Sequence, residues 1–158
     1  MAVAIEGFMA SGKSTFGRIA AESLGLRFID LDDEISLRHG TPAEIFSRGG
    51  EPLFRKIESE VLKDILENAV GAVIALGGGT VLSRENVSLV RKHASILWLD
   101  TSLEVVFSEL SNADRPLARS RSGEEIAALY LSRRPVYRLC ADKVVIIDAF
   151  DYDDAIRR

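Results

Sequence analysis

Apolar residues along this chain follow two alternating rhythms. Short continuous runs read as strands: Ala2-Val3-Ala4-Ile5, Leu26-Arg27-Phe28-Ile29-Asp30, Ala72-Val73-Ile74-Ala75-Leu76, Ser95-Ile96-Leu97-Trp98-Leu99 and Val144-Val145-Ile146-Ile147. Between them, apolar positions recur at three- and four-residue spacing, which predicts helices with one buried face. Phe16, Ile19, Ala20 and Leu24 mark a helix behind the first strand, and another runs through Ile35 and Leu37 to a stop at Gly40. Leu53, Ile57, Val61, Ile65 and Ala69 mark a long helix from Pro52, with Glu51, Lys56, Glu60, Lys63 and Glu67 on its outer side.

Local signals fix several helix starts. Thr41-Pro42-Ala43-Glu44 combines a capping hydroxyl, proline at the first helical position and glutamate three residues on, and Gly49-Gly50 predicts that this helix ends near Ser47. Helices are also predicted over 83–92, over 101–110 with a capping box from Thr101 and Glu104, from Ser122-Gly123-Glu124-Glu125 through Tyr137, and over 151–158. Five buried-type strands separated by helices predict an α/β fold, a parallel sheet covered on both faces with ligands at the carboxyl ends of its strands. With 158 residues the expectation is a single domain over 1–158. Residues 111–122 depart from the pattern: they are polar, carry three arginines and read as mobile.

Composition mainly excludes. A net charge of −4 gives no general attraction to nucleic acid or anionic lipid, so an anion site must be local and built from particular arginines. Cys140 is alone, which rules out an intrachain disulfide. No apolar run approaches a membrane span, and the N-terminus enters a strand without a basic leader, so a cytoplasmic protein is expected. His39 and His93 lack metal-ligand spacing and read as surface residues.

Candidate chemistry gathers at the strand ends. Gly7-Phe8-Met9-Ala10-Ser11-Gly12-Lys13-Ser14-Thr15, between a strand and a helix, has the pattern G-x-x-x-x-G-K-[ST]. A loop of small residues lets backbone N–H groups converge on a phosphate, and the helix behind adds the positive end of its dipole. Ala10, Ser11, Gly12, Lys13, Ser14 and Thr15 are therefore candidates for binding a nucleoside triphosphate. Lys13 would reach the β/γ-phosphates and Ser14 the accompanying Mg2+. After the second strand, Asp30-Leu31-Asp32 offers one carboxylate for the metal shell and one to orient or deprotonate a hydroxyl nucleophile. An acidic helix N-terminus is the alternative. Gly77-Gly78-Gly79 after the third strand implies close approach to the backbone, or else a loose turn. Arg55, Arg115 and Arg133 could border the same place and suit carboxylate or phosphate. Asp100 also follows an apolar strand, but Asp100-Thr101-Ser102 reads as plain helix capping.

Six blocks in order resemble the shikimate kinases: the phosphate loop, Phe28-Ile29-Asp30-Leu31-Asp32, Phe54-Arg55-x-x-Glu58, Leu76-Gly77-Gly78-Gly79, Arg115-Pro116-Leu117 and Arg133-x-Pro135-x-Tyr137. The resemblance implies a P-loop NTPase fold of the nucleoside-monophosphate-kinase type, with a mobile lid about residues 111–122. It implies γ-phosphoryl transfer from ATP, with Mg2+, to the 3-hydroxyl of shikimate by a monomer without nucleic-acid or membrane partners. In that reading Lys13, Asp32 and Arg115 are catalytic, with Arg115 also on the nucleotide phosphates. Asp32, Arg55, Gly77, Gly78, Gly79 and Arg133 bind shikimate, and Ser14 and Asp30 serve the metal. Rivals of the same fold are gluconate and nucleoside-monophosphate kinases; a non-catalytic nucleotide-binding module is a third. Two residues depart from the family's habit. Ala10 replaces a loop glycine, which is tolerable where its φ is negative, and Ala118 replaces a common lid leucine.

Overall fold

The computed structural model describes residues 2–112 and 121–148. Five parallel strands form one sheet: β1 (Ala2–Glu6), β2 (Arg27–Asp30), β3 (Ala72–Ala75), β4 (Ala94–Thr101) and β5 (Lys143–Ile147), in the order β2-β3-β1-β4-β5. Their connections contain α1 (Lys13–Leu24), α2 (Leu31–His39), α3 (Pro42–Asn68), α4 (Arg84–His93), α5 (Leu103–Asn112) and α6 (Gly123–Cys140). The two-residue repeat of β1 divides the core. Ala2 and Ala4 belong to the larger cluster, with Ile57 and Leu62 of α3, Val90 of α4 and Tyr137 of α6. Ile5 belongs to the smaller one, with Phe16 and Ala21 of α1.

Sequence and structure differ in three places. The helix begun at Thr41 does have its capping box, with Glu44 N–H donating to Thr41 Oγ1 at 3.3 Å and Thr41 N–H to Glu44 Oε2 at 2.7 Å. It does not stop near Ser47. Gly49 stays helical and the break falls at Gly50 (φ 67°, ψ −164°), after which α3 continues from Pro52. The second difference lies at β4, which extends beyond Leu99 because Asp100 and Thr101 pair with Ile146 and Ile147 of β5. Thr101 is therefore strand, and its predicted capping box is absent. Ser102 supplies the cap to α5 instead, accepting Val105 N–H at 3.4 Å. Third, the long helix buries Glu58 along with Phe54, Leu62 and Leu66, a wider face than its apolar spacing indicates. The helix predicted over 151–158 lies outside the described residues.

β1 and β3 are sequence-distant neighbours at the middle of the sheet, paired Ile5 to Ala75. From β1 the chain passes to the outer strand β2 and returns to β3, then crosses to β4 on the far side. The loops leaving β1 and β3 thus meet at the point where strand order reverses, where open parallel sheets place their ligands.

Candidate active site

Contact between these two loops begins at the strand ends, where Leu76 N–H donates to Ile5 O at 2.9 Å. A Cβ on Gly78 would lie 3.4 Å from Met9 N, 3.6 Å from Gly7 O and 3.6 Å from Arg133 Nη1. Side-chain ends crowd both neighbouring glycines. At Gly77 a Cβ would stand 3.0 Å from Glu58 Oε2 and 3.1 Å from Asp32 Oδ1; at Gly79 it would strike the Arg55 guanidinium at 2.5 Å. The triple glycine is a close-packed floor rather than a loose turn, and three predicted site residues stand around it.

Lys13 opens α1 and folds back over the phosphate loop, donating from Nζ to Gly7 O at 2.9 Å and Phe8 O at 2.8 Å. Since Gly7 O also borders Gly78, the lysine, the glycine floor and Arg133 share one neighbourhood. Ser11 is buried, Gly12 turns left-handed (φ 88°) into α1, and Thr15 is exposed. Ala10 overturns the expectation of a negative φ: it sits at φ 55°. A side-chain-bearing residue there costs roughly 1–2 kcal/mol of steric energy.

Asp30 serves two neighbours. Oδ1 accepts the N–H groups of Asp32 (3.0 Å) and Asp33 (3.3 Å), capping α2, so the helix-start reading holds. Oδ2 accepts the Ser14 hydroxyl at 2.5 Å. Asp32, two residues further, borders Gly77. Burial of its carboxyl among the walls of the site raises its pKa; Lys13 opposes this, and the charges of Asp30, Glu58 and Asp33 reinforce it.

Two arginines flank the floor in different states. Arg55 is held on its own helix, with Nη1 donating to Glu58 at 2.8 Å and Nη2 to Glu51 at 3.4 Å. Glu58 is 1% exposed, and its second oxygen accepts Thr80 Oγ1 at 2.8 Å. Arg133 is less satisfied. Its Nη1 reaches Gly78 O only at 3.4 Å, and its buried Nε has no hydrogen-bond partner among the described residues. Tyr137, one turn on, donates to the same carbonyl at 2.6 Å, and burial pushes its phenol up to about 12. Arg115 lies outside the described residues, as do 113–120 of the expected lid.

Glu58 and Tyr137 occur in the sequence blocks, yet nothing local reveals what they do. Glu58 steers Arg55 from a helix face that otherwise reads as core, and Tyr137 fixes Gly78 from 59 residues away. Asp100, set aside on the ground of capping, is in fact paired through both oxygens with Arg134 at 2.8 Å.

Strand order, phosphate loop and the arginine-lined glycine floor together place the chain among phosphate-loop kinases of small molecules. The family model for shikimate kinase matches residues 9–156, and the chain belongs to the shikimate kinase family. A shikimate kinase from Sulfurihydrogenibium sp. is 41% identical over 135 residues, covering 84% of this chain and 80% of that relative. Among solved structures, the shikimate kinase of Bacteroides thetaiotaomicron superposes with a TM-score of 0.88 at 27% identity, covering 100% of this chain and 95% of the other. The Acinetobacter baumannii shikimate kinase in complex with shikimate gives 0.87 at 28% identity, over 99% of this chain and 88% of that one. Among the described residues no helix is long and apolar enough to cross a membrane.

Proposed function

We propose that this chain transfers the γ-phosphoryl group of ATP to the 3-hydroxyl of shikimate, giving shikimate 3-phosphate and ADP. The observation that carries the reading is Arg133. A guanidinium has five N–H donors, and leaving one buried and unpaired costs about 1–3 kcal/mol or more. Here that donor is Nε, while Nη1 of the same guanidinium reaches the glycine floor at Gly78 O, 3.4 Å away. A carboxylate laid on the floor would supply the missing acceptor, and shikimate carries one. Arg55, aligned by Glu58, is the second cation for the same group.

Asp32 is then the residue for the reacting hydroxyl. Its raised pKa makes it a better proton acceptor than an ordinary aspartate, although a loose phosphoryl-transfer transition state asks for orientation before deprotonation. Gly77, Gly78 and Gly79 bring backbone against the ring of the substrate. Backbone groups from Ala10 to Thr15 cradle the phosphates, and Lys13 exchanges its present carbonyl partners for phosphate oxygens. Arg115 joins them on the strength of the Arg115-Pro116-Leu117 block.

Ser14 Oγ and Asp30 Oδ2 fit Mg2+, being hard oxygen donors side by side at the foot of the phosphate loop. No group of three or more His, Cys, Asp or Glu with metal-site geometry occurs among the described residues. That suits an ion which keeps waters and phosphate oxygens as its remaining ligands. When bound, the ion neutralises phosphate charge. The reading includes a cytoplasmic monomer; a net charge of −4 favours a small-molecule partner over nucleic acid or anionic membrane.

The test is ADP release with ATP and Mg2+ in the presence of shikimate, gluconate or a nucleoside monophosphate; shikimate alone should stimulate it. Arg133→Ala should weaken shikimate binding by about 2–5 kcal/mol. An unchanged KM for shikimate in that variant, or stimulation by another acceptor, would refute the reading.

A further inference from the structure

Consecutive arginines of α6 serve different strands. Arg133 turns to the glycine floor after β3, whereas Arg134 turns to the end of β4. There Asp100 grips it with both oxygens at 2.8 Å, and its guanidinium lies 5.3 Å from the ring centroids of Trp98 and Tyr130. Arg134 Nη1 also donates to Tyr130 Oη at 2.6 Å. Tyr130 in turn donates to Thr101 O at 2.8 Å, and the Thr101 hydroxyl donates to Ser11 O at 2.7 Å. Thr101 and Tyr130 are both buried, so water does not compete along this path.

The path ends on the peptide that joins Ser11 to Gly12. In a planar trans peptide the C=O and the following N–H point opposite ways. Holding Ser11 O towards β4 therefore fixes the Gly12 N–H towards the other side, among the donors of the phosphate loop. Gly12 stands at φ 88°, and as a glycine it has no side chain to stop that peptide plane from turning. A dedicated hydroxyl is what keeps it in place. The Phe8 ring, edge-on to Tyr130 at 5.4 Å between centroids, ties the other half of the loop to the same helix.

We propose that Thr101 and Tyr130, braced by Arg134 and Asp100, are positioning residues for the nucleotide: they hold the phosphate loop in its anion-binding form through the Ser11 carbonyl. The proposal rests on the phosphate loop being the nucleotide site. It separates two functions of α6, since Arg133 faces the acceptor while Tyr130 and Arg134 act on the donor side.

The experiment is calorimetric titration of MgADP and of shikimate into Thr101→Val, Thr101→Ser and Tyr130→Phe, with steady-state KM for both substrates. Thr101→Val should weaken MgADP by about fivefold to tenfold, as expected for one buried hydrogen bond. Shikimate affinity should stay within about twofold, and Thr101→Ser should recover most of the nucleotide affinity. Tyr130→Phe keeps the ring against Phe8 and should shift nucleotide affinity in the same direction; it carries the test if Thr101→Val does not fold. Unchanged MgADP affinity in the folded variants, or equal losses for both ligands, would overturn the proposal. Failure of the underlying functional reading would look different: the unaltered chain would bind no MgADP.

Discussion

Glu6 is the last residue of β1, fully buried, and neither carboxyl oxygen has a hydrogen-bond partner among the described residues. Strand alternation sends it to the same face as Ala2 and Ala4, and its register partner is Trp98. Burial raises its pKa from 4.5 to about 8; Arg91 and Lys13 oppose the rise and Asp142 adds to it. Between these two values the folded protein keeps a proton that the unfolded chain gives up. Folding is therefore favoured below pH 4.5 and loses stability as pH rises through the window to about 8. At 1.36 kcal/mol per pH unit, the loss reaches about 3 kcal/mol by pH 7 and about 5 kcal/mol above pH 8. Glu6→Gln keeps the shape and removes the titration. Urea unfolding of both proteins from about pH 5 to about pH 8 should show the variant gaining on the parent steadily, by about 3 kcal/mol at neutrality. Other titrating groups act on both proteins alike and cancel in the difference. A stability difference that is flat with pH would rule out a protonated Glu6 in the folded protein, as would a variant less stable than the parent at pH 7.

Ala10→Gly should release the left-handed strain at φ 55°; after the entropy a glycine adds to the unfolded chain, the net gain is about 0.5–1 kcal/mol, or a Tm higher by a few degrees on calorimetry. A lower Tm would contradict it. Gly79→Ala has an allowed backbone (φ −112°) but puts a Cβ against the Arg55 guanidinium, a movable group. Stability should fall by about 1–3 kcal/mol, since Arg55 must leave the buried Glu58 carboxylate, and KM for shikimate should rise about tenfold; an unchanged KM would separate Arg55 from substrate binding. Because Asp32 is raised, the acid limb of kcat/KM should fall at a pH above that of an ordinary aspartate, and Asp32→Asn should abolish that limb. A limb that persists unchanged in the variant would assign it to another group.

What could be read from the sequence was local. The phosphate loop, the caps at Thr41 and Ser122 and the triple glycine each lie within a few residues, and each has a direct physical reason. Strand number and parallel arrangement followed from continuous apolar runs alternating with helical spacing. The misplaced features depend on partners far along the chain. Thr101 resembles a helix cap until β5, more than forty residues later, pairs with it and turns its hydroxyl to Ser11. Glu6 looks like the polar end of a strand and Glu58 like one charge on a helix, and only packing across the sheet buries them. Ala10 shows the same limit in one residue: the motif tolerates alanine, but only the folded loop shows that its φ is positive.

In the proposed function Arg133 and Arg55 hold a carboxylate on the glycine floor beside Lys13. Calorimetric titration of shikimate against shikimate methyl ester, which keeps the ring and hydroxyls and removes the charge, addresses it most directly. Shikimate should bind, and the ester should bind at least about thirtyfold more weakly, since it forfeits about 2 kcal/mol or more of paired charge. Equal affinity for the acid and its ester would contradict it.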